Sequence, residues 1–340
     1  MQSWAALMTA AERKLNTLLK KTGRTLQLSA AVLPESIRWV FTVAYLFCRC
    51  ADTVADTDLI NKERKEFWIE SFPQLFKNSD ISALKELALE VNSASLHKDE
   101  RALLEHIDIC VDVFNTFTAE DKELVIGIVK KVCEGMLFDL NKFGAELTTL
   151  KTVDELEYYC DTMGGAPGVF WSRLILKCTA VNMEDKAFVN KGRNIGRALQ
   201  IVNILRDFTH DLNIGRVYFP QEDLEKFDLS ITDICAGKSV KNMFFKWINW
   251  GVNHIEAAPE FYSAMGRVNW RLRVSVAWPV IWTLDNFILL SCTNPLKQKL
   301  RINKKDIYKT MFLSPLYLIS NSVFKSMVDR RIKKIRDITK

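Results

Sequence analysis

The sequence predicts an all-α fold, and three observations carry that prediction. Only 13 glycines and 8 prolines punctuate 340 residues, whereas turn-rich β folds need frequent Gly, Pro and Asn-Gly breaks. Hydrophobic residues make up 48% of the chain and charged residues 26%, a balance that excludes collagen-like, low-complexity and disordered chains. Apolar positions recur at the three- and four-residue spacing of amphipathic helices, with no internal repeat of the solenoid kind.

The first helix, 3–21, carries its charges after its apolar residues, the reverse of a secretory signal. A cytoplasmic, non-secreted protein is therefore expected. The second, 35–55, opens at Pro34, whose missing N–H is harmless in a first turn, and Glu35 complements the helix dipole. Further helices are predicted at 61–76, 80–95, 99–117, 120–142, 152–163, 167–180, 185–210, 239–265, 268–291 and 304–333, each an apolar stripe ended by polar residues. The run 274–292 reaches spanning length, but Pro279 and Asp285 inside it favour a buried core helix. The result is one helical domain over 1–340 with a basic tail at 325–340, where seven bases face two acids.

That tail reads as a solvated terminal helix or as a peripheral contact with anionic lipid. It lacks the interleaved aromatics of a nucleic-acid surface, so no nucleic-acid partner is expected. Eight cysteines lie mostly in apolar stretches without a CxxC pair, which indicates neither a disulfide framework nor a zinc module. His97, His106, His210 and His254 have no metal-ligand spacing. Nucleophile-elbow, P-loop and kinase motifs are absent.

Two helices break the pattern in the same way. On the helix after Pro34, Phe41, Tyr45, Cys48, Asp52 and Asp56 follow one another at spacings of four, three, four and four, so two carboxylates extend an apolar stripe. Like charges four apart repel, and a cation is expected beside them. In RNIGRALQIVNILRDFTHD the stripe Gly196, Gln200, Asn203, Asp207 and Asp211 repeats the spacing on a helix otherwise apolar except for Arg193, Arg197 and Arg206. One DxxxD alone reads as a salt-bridged face. Two of them in inward stripes suggest a shared polar cavity, where carboxylates suit Mg²⁺, or Mn²⁺ in its place, completed by waters and the phosphates of a substrate. A diphosphate is implied.

YLFCRCADTVAD (45–56) and NILRDFTHDLNIGRVYFP (203–220) resemble the two aspartate-rich motifs of squalene and phytoene synthases. In the same order, TGRTL (22–26) is similar to that family's Thr-Ser-Arg-Ser-Phe, EGMLFDL (134–140) to its Gly-Met-x-x-Asp-Leu, and YYCDTMGGAPG (158–168) to its Tyr-Cys-x-x-Val-Ala-Gly-x-Val-Gly. The resemblance implies an all-α isoprenoid-synthase fold around a central cavity and the head-to-head joining of two prenyl diphosphates. It assigns Asp52, Asp56, Asp207 and Asp211 to the metals, and Arg24, Arg49, Arg206 and Arg216 to the diphosphates, with Tyr45, Tyr218, Gln200 and Asn203 beside them. Tyr159 falls on the motif tyrosine, as a proton-handling, cation-facing or merely packing ring. Gly135, Asp139, Gly164, Gly165 and Gly168 would shape the cavity.

GGAPG departs from the family's Ala-Gly-x-Val-Gly, and Pro167 is expected to break or start a helix there. Its glycines supply close backbone approach or an unwound turn. Asp52-Thr53 and TGRTL favour squalene over phytoene, hence farnesyl diphosphate as substrate and NADPH as hydride donor. Phytoene, dehydrosqualene, hydroxysqualene or presqualene diphosphate are the alternative products, and a non-catalytic assembly factor of the same fold is the alternative of another class.

Overall fold

The computed structural model of the chain describes residues 4–340 apart from 24–25, 92–97, 145, 295 and 297–299. It divides into two compact units, Met1–Leu140 and Asn141–Lys340. The first unit holds α1 (Trp4–Thr22), α2 (Leu26–Ala31), α3 (Glu35–Asp56), α4 (Lys62–Asn78), α5 (Ile81–Val91), α6 (Lys98–Leu104), α7 (Ile107–Asn115) and most of α8 (Ala119–Lys142). Its core is aromatic: Phe47 of α3 stacks on Phe76 of α4 at 3.8 Å and meets Phe114 of α7 at 5.6 Å. Burying such rings is the largest favourable term available to so glycine-poor a chain.

The second unit begins with β1 (Thr148–Leu150) and α9 (Val153–Cys160), followed by a π turn (Asp161–Gly165) and α10 (Ala166–Cys178). The 29-residue α11 (Asp185–Asn213) leads to β2 (Arg216–Pro220), then α12 (Gln221–Lys226), α13 (Ile231–Cys235), α14 (Lys241–Ile255) and α15 (Ala258–Ala264). α16 (Trp270–Cys292), α17 (Lys304–Phe312), α18 (Ser314–Ile319) and α19 (Asn321–Ile338) complete it. α16 is long and apolar enough to cross a membrane, yet 78% of its apolar window is buried inside the unit, in keeping with a core helix. Asp285, the one acid on that helix, is held by Arg331 of α19 at 2.7 Å.

Three predicted helices are each divided. The stretch 99–117 breaks at Glu105 and His106, whose ring Nδ1 lies 2.9 Å from the Ala102 carbonyl oxygen. The stretches 239–265 and 304–333 break before Pro259 and Pro315, which open new helices where a missing N–H costs nothing. The basic tail forms α19 and is not a freely solvated helix: Phe324, Val328, Ile332 and Ile335 are buried. Several of its charges are internally paired, Arg336 with Glu256 at 2.6 Å among them.

β1 and β2 are absent from the predicted elements, because strands of three and five residues leave little periodic signal. They pair in parallel, with Thr148 opposite Arg216 and Thr149 opposite Val217. Gly215, at φ +82, makes the left-handed turn that ends α11, and its carbonyl accepts from the Thr148 amide at 3.0 Å. The end of α11 is thereby tied to the chain entering α9.

Pro167 starts a helix rather than breaking one: it stands in the first turn of α10. α9, the π turn and α10 run on continuously, and the wide turn gives the proline ring room where a tight α turn would clash with the carbonyl four residues back. Both roles foreseen for the glycines are observed: Gly164 and Gly165 lie in the under-wound π turn, and close approach is found as well. A Cβ on Gly164 would stand 2.3 Å from the Gly196 carbonyl oxygen, and one on Gly168 would stand 2.1 Å from that of Gly192. Gly164 and Gly168 thus face Gly192 and Gly196, two four-residue steps packed backbone to backbone. Gly196, read from sequence as the start of a polar stripe, is a packing residue.

Candidate active site

In the first unit the site is built on the last turns of α3. A helix C-terminus carries partial negative charge, so Asp52 and Asp56 there are disfavoured by the dipole as well as by each other. The cation this demands is Arg49, one turn back. Its Nη1 donates to Asp52 and its Nη2 to Glu100 of α6 at 2.5 Å. Burial works against the Arg49 charge, but Asp52, Tyr45, Glu100 and Asp56 outweigh it and push its pKa up. The Arg49 Nε is buried with no hydrogen-bond partner.

Asp52 is half-buried and Asp56 exposed, so the acidic end of the stripe lies at a solvent-accessible rim and not in the core its spacing suggests. Tyr45 is one turn before Arg49, and its hydroxyl donates to the Thr22 carbonyl at 2.7 Å. Thr53, buried, donates to the Arg49 carbonyl at 3.0 Å. Gly135 and Asp139 are buried on α8. Arg24 lies outside the described residues.

In the second unit α11 repeats the design. Asp207 and Asp211 sit in its last two turns, again at the negative pole. Arg206 holds Asp207 at 2.5 Å, and Arg301, between α16 and α17, approaches it to 3.9 Å. Asn203 is exposed, while Gln200, Arg206, Asp207 and Asp211 are half-buried. This stripe too borders accessible space. Arg216 is half-buried at the start of β2.

Tyr159 of α9 and Tyr218 of β2 are buried together, with ring centroids 4.8 Å apart and hydroxyl oxygens 3.3 Å apart. Phe143 meets Tyr218 edge-on at 5.0 Å. Beside them Asp161, in the π turn, accepts from Arg193 at 2.6 Å and from Arg197 at 2.7 Å. Burial pushes the Asp161 carboxyl up, but these guanidinium bonds outweigh it and hold the pKa below its ordinary value. Gly165 packs over that carboxylate: a Cβ there would stand 2.5 Å from its Oδ1.

Among the described residues no three His, Cys, Asp or Glu side chains form a group able to hold a metal alone. Each motif offers two carboxylates, partly open to water, which fits a Mg²⁺ that keeps several waters and takes its remaining ligands from substrate phosphates. Glu100, Arg301 and the Asp161 cluster escape the sequence reading. Arg193 and Arg197, cations four apart on an apolar helix, were the signal for the last; nothing local marks Arg301 as a neighbour of Asp207.

The all-α fold is shared with solved structures. The structure of TcSQS in complex with E5700 aligns at a TM-score of 0.76 over 97% of this chain and 98% of that chain, with 16% identity. The chain belongs to the squalene/phytoene synthase family, whose model matches residues 19–285.

Among curated relatives, squalene synthase of Schizosaccharomyces pombe is 24% identical over 229 residues, 66% of this chain and 47% of that protein. Presqualene diphosphate synthase of Rhodopseudomonas palustris is 25% identical over 244 residues, 69% of this chain and 73% of that protein. The chain thus spans about half the length of the first of these relatives.

Proposed function

We propose that the protein is a Mg²⁺-dependent prenyl transferase that joins two farnesyl diphosphates through their C1 atoms, by way of presqualene diphosphate, to squalene. The observation that carries this reading is the pair of DxxxD motifs, each in the closing turns of a helix and each with an arginine on its first carboxylate. Carboxylates so placed are destabilising unless cations meet them, and a metal with a diphosphate supplies both the cation and the reason for the neighbouring arginines.

Asp52 and Asp56 on α3, and Asp207 and Asp211 on α11, are the metal-holding residues. Bound Mg²⁺ supplies charge neutralisation on the departing diphosphate, which lowers the barrier to an allylic cation. Arg49 and Arg206, beside the first aspartate of each motif, would offer planar, permanently charged forks to phosphate oxygens. Arg216 and Arg301 add to that set on the second motif. The buried pair of Tyr159 and Tyr218 presents aromatic faces, which stabilise a nearby cation without offering it a strong nucleophile. Their hydroxyls lie 3.3 Å apart, so either can donate to the other.

The preference for squalene rests on Asp52-Thr53 in place of Asp-Asp. Thr53 is buried and bonded to the Arg49 carbonyl, a position where a second carboxylate would be desolvated. Reduction to squalene takes NADPH as hydride donor. A second reading, release of presqualene diphosphate, is favoured by the Rhodopseudomonas palustris relative, 73% of which the match covers.

The test is incubation of the protein with labelled farnesyl or geranylgeranyl diphosphate and Mg²⁺, with and without NADPH, followed by mass spectrometry of the extracted lipid. Squalene that appears only with farnesyl diphosphate and NADPH supports the first reading. Presqualene diphosphate unchanged by NADPH supports the second, phytoene from the longer substrate contradicts both, and no product leaves a non-catalytic role.

A further inference from the structure

Exposed apolar side chains form a ridge on α17 and α18 of the second unit. Phe312 is 84% exposed, Ile319 70%, Tyr308 63% and Leu316 55%. Spacings of four, four and three put them on one side, and the burial of Thr310, Ser314 and Tyr317 puts the core on the other. That inner side is pinned. The Tyr317 hydroxyl donates to the Thr310 carbonyl at 3.0 Å, Trp278 of α16 donates to Ser314 at 3.0 Å, and Tyr262 of α15 donates to the Tyr317 carbonyl at 2.7 Å. The ridge is held outward by a bonded base and is not a loosely packed end.

Its charge narrows the choice of partner. Between Arg301 and Lys325 five basic residues meet one acid, Asp306. Lys305 stands three residues before Tyr308 and Lys309 three before Phe312, so cations flank the ridge on its own face. Lys304, Lys305 and Lys309 are exposed. A second copy of this face would oppose these charges with like charges, whereas an anionic bilayer complements both the apolar ridge and its basic flank.

We propose that the outward face of α17 and α18 is a membrane-docking surface, with Tyr308, Phe312, Leu316 and Ile319 entering the apolar edge of a bilayer and Lys304, Lys305 and Lys309 meeting its anionic headgroups. This moves the lipid contact from the basic tail, whose apolar face is buried in α19, to the segment just before it. The proposal goes beyond the reaction and does not depend on it: vesicle binding is read without substrate, so either can fail alone.

The experiment is flotation of the full chain with phosphatidylcholine vesicles, with and without phosphatidylserine. Wild type is expected to float with the phosphatidylserine vesicles. Phe312→Ser with Ile319→Ser is expected to lower partitioning about tenfold or more, with unchanged circular dichroism because both side chains are exposed. Lys304→Gln, Lys305→Gln and Lys309→Gln together remove the preference for phosphatidylserine and the salt sensitivity of binding. Arg330→Gln with Lys333→Gln, on the exposed side of α19, leaves binding as it was.

Failure of the wild type to bind either vesicle overturns the proposal, as does wild-type binding by the Phe312/Ile319 variant. Loss of binding in the α19 variant equal to that of the lysine variant returns the anchor to the tail and also overturns it. So does conversion of a dimer to a monomer by the ridge variant with vesicle binding unchanged, which assigns the face to a second copy.

Discussion

The two aspartate motifs look alike in sequence and are supported differently in space. At the end of α3 the balancing cation is Arg49, which lies on the same helix and divides its guanidinium between Asp52 and Glu100. At the end of α11 the load is shared between a sequence neighbour, Arg206, and Arg301 from far along the chain. The first arrangement is a closed local network with an unbonded buried Nε. The second is a more open one that a distant segment completes. Repeated carboxylates at a helix end therefore signal the demand for a cation without saying where it comes from.

The largest effect expected from breaking this parallel is equal loss on both sides. Asp52→Asn and Asp207→Asn are each expected to lower Mg²⁺-dependent turnover by roughly a thousandfold, with the helical circular dichroism kept. The two motifs should part at their arginines. Arg49→Ala leaves Asp52 and Glu100 facing each other without their shared cation, so it should cost about 1–3 kcal/mol in denaturant unfolding as well as turnover. Arg301→Ala, which removes a 47%-exposed side chain at 3.9 Å, should raise KM several-fold and leave unfolding unchanged.

α3 is legible in sequence because Pro34 marks its start and its apolar stripe is unbroken; α11 is legible because its stripe holds over many turns. The short strands are not, since their pairing depends on a residue some seventy positions away and on the left-handed turn at Gly215. Asp52, Asp207 and their nearest arginines are visible because helical spacing is a local property. Glu100 and Arg301 are brought in by tertiary packing. Periodicity tells which side of a helix a residue occupies, but not whether that side is covered by protein or open to water, as at Asp56 and Asn203.

The glycine crossing bears on the second motif alone, since α11 carries both Gly196 and Asp207. Gly168→Ala would press a methyl onto the Gly192 carbonyl and is expected to cost about 1–3 kcal/mol or more, measured by denaturant unfolding. A neutral effect would mean that the two helices do not pack at backbone distance.

Asp161 gives the smallest prediction. Its folded pKa lies below the unfolded value, so its bonds to Arg193 and Arg197 stabilise the fold fully above the ordinary aspartate pKa, about 3.9, and that contribution disappears as pH falls through the lowered folded value. Asp161→Asn should therefore lose less thermal stability than wild type on acidification over that range, while starting lower at neutral pH.

The central claim is that the paired aspartates at both helix ends hold a metal against the substrate's diphosphate. Diphosphate release from farnesyl diphosphate, followed against Mg²⁺ concentration for the wild type, Asp52→Asn and Asp207→Asn, tests it most directly. The expected result is saturable Mg²⁺ activation in the wild type and almost none in either variant at the same metal concentrations. Wild-type activation in either variant would contradict the claim.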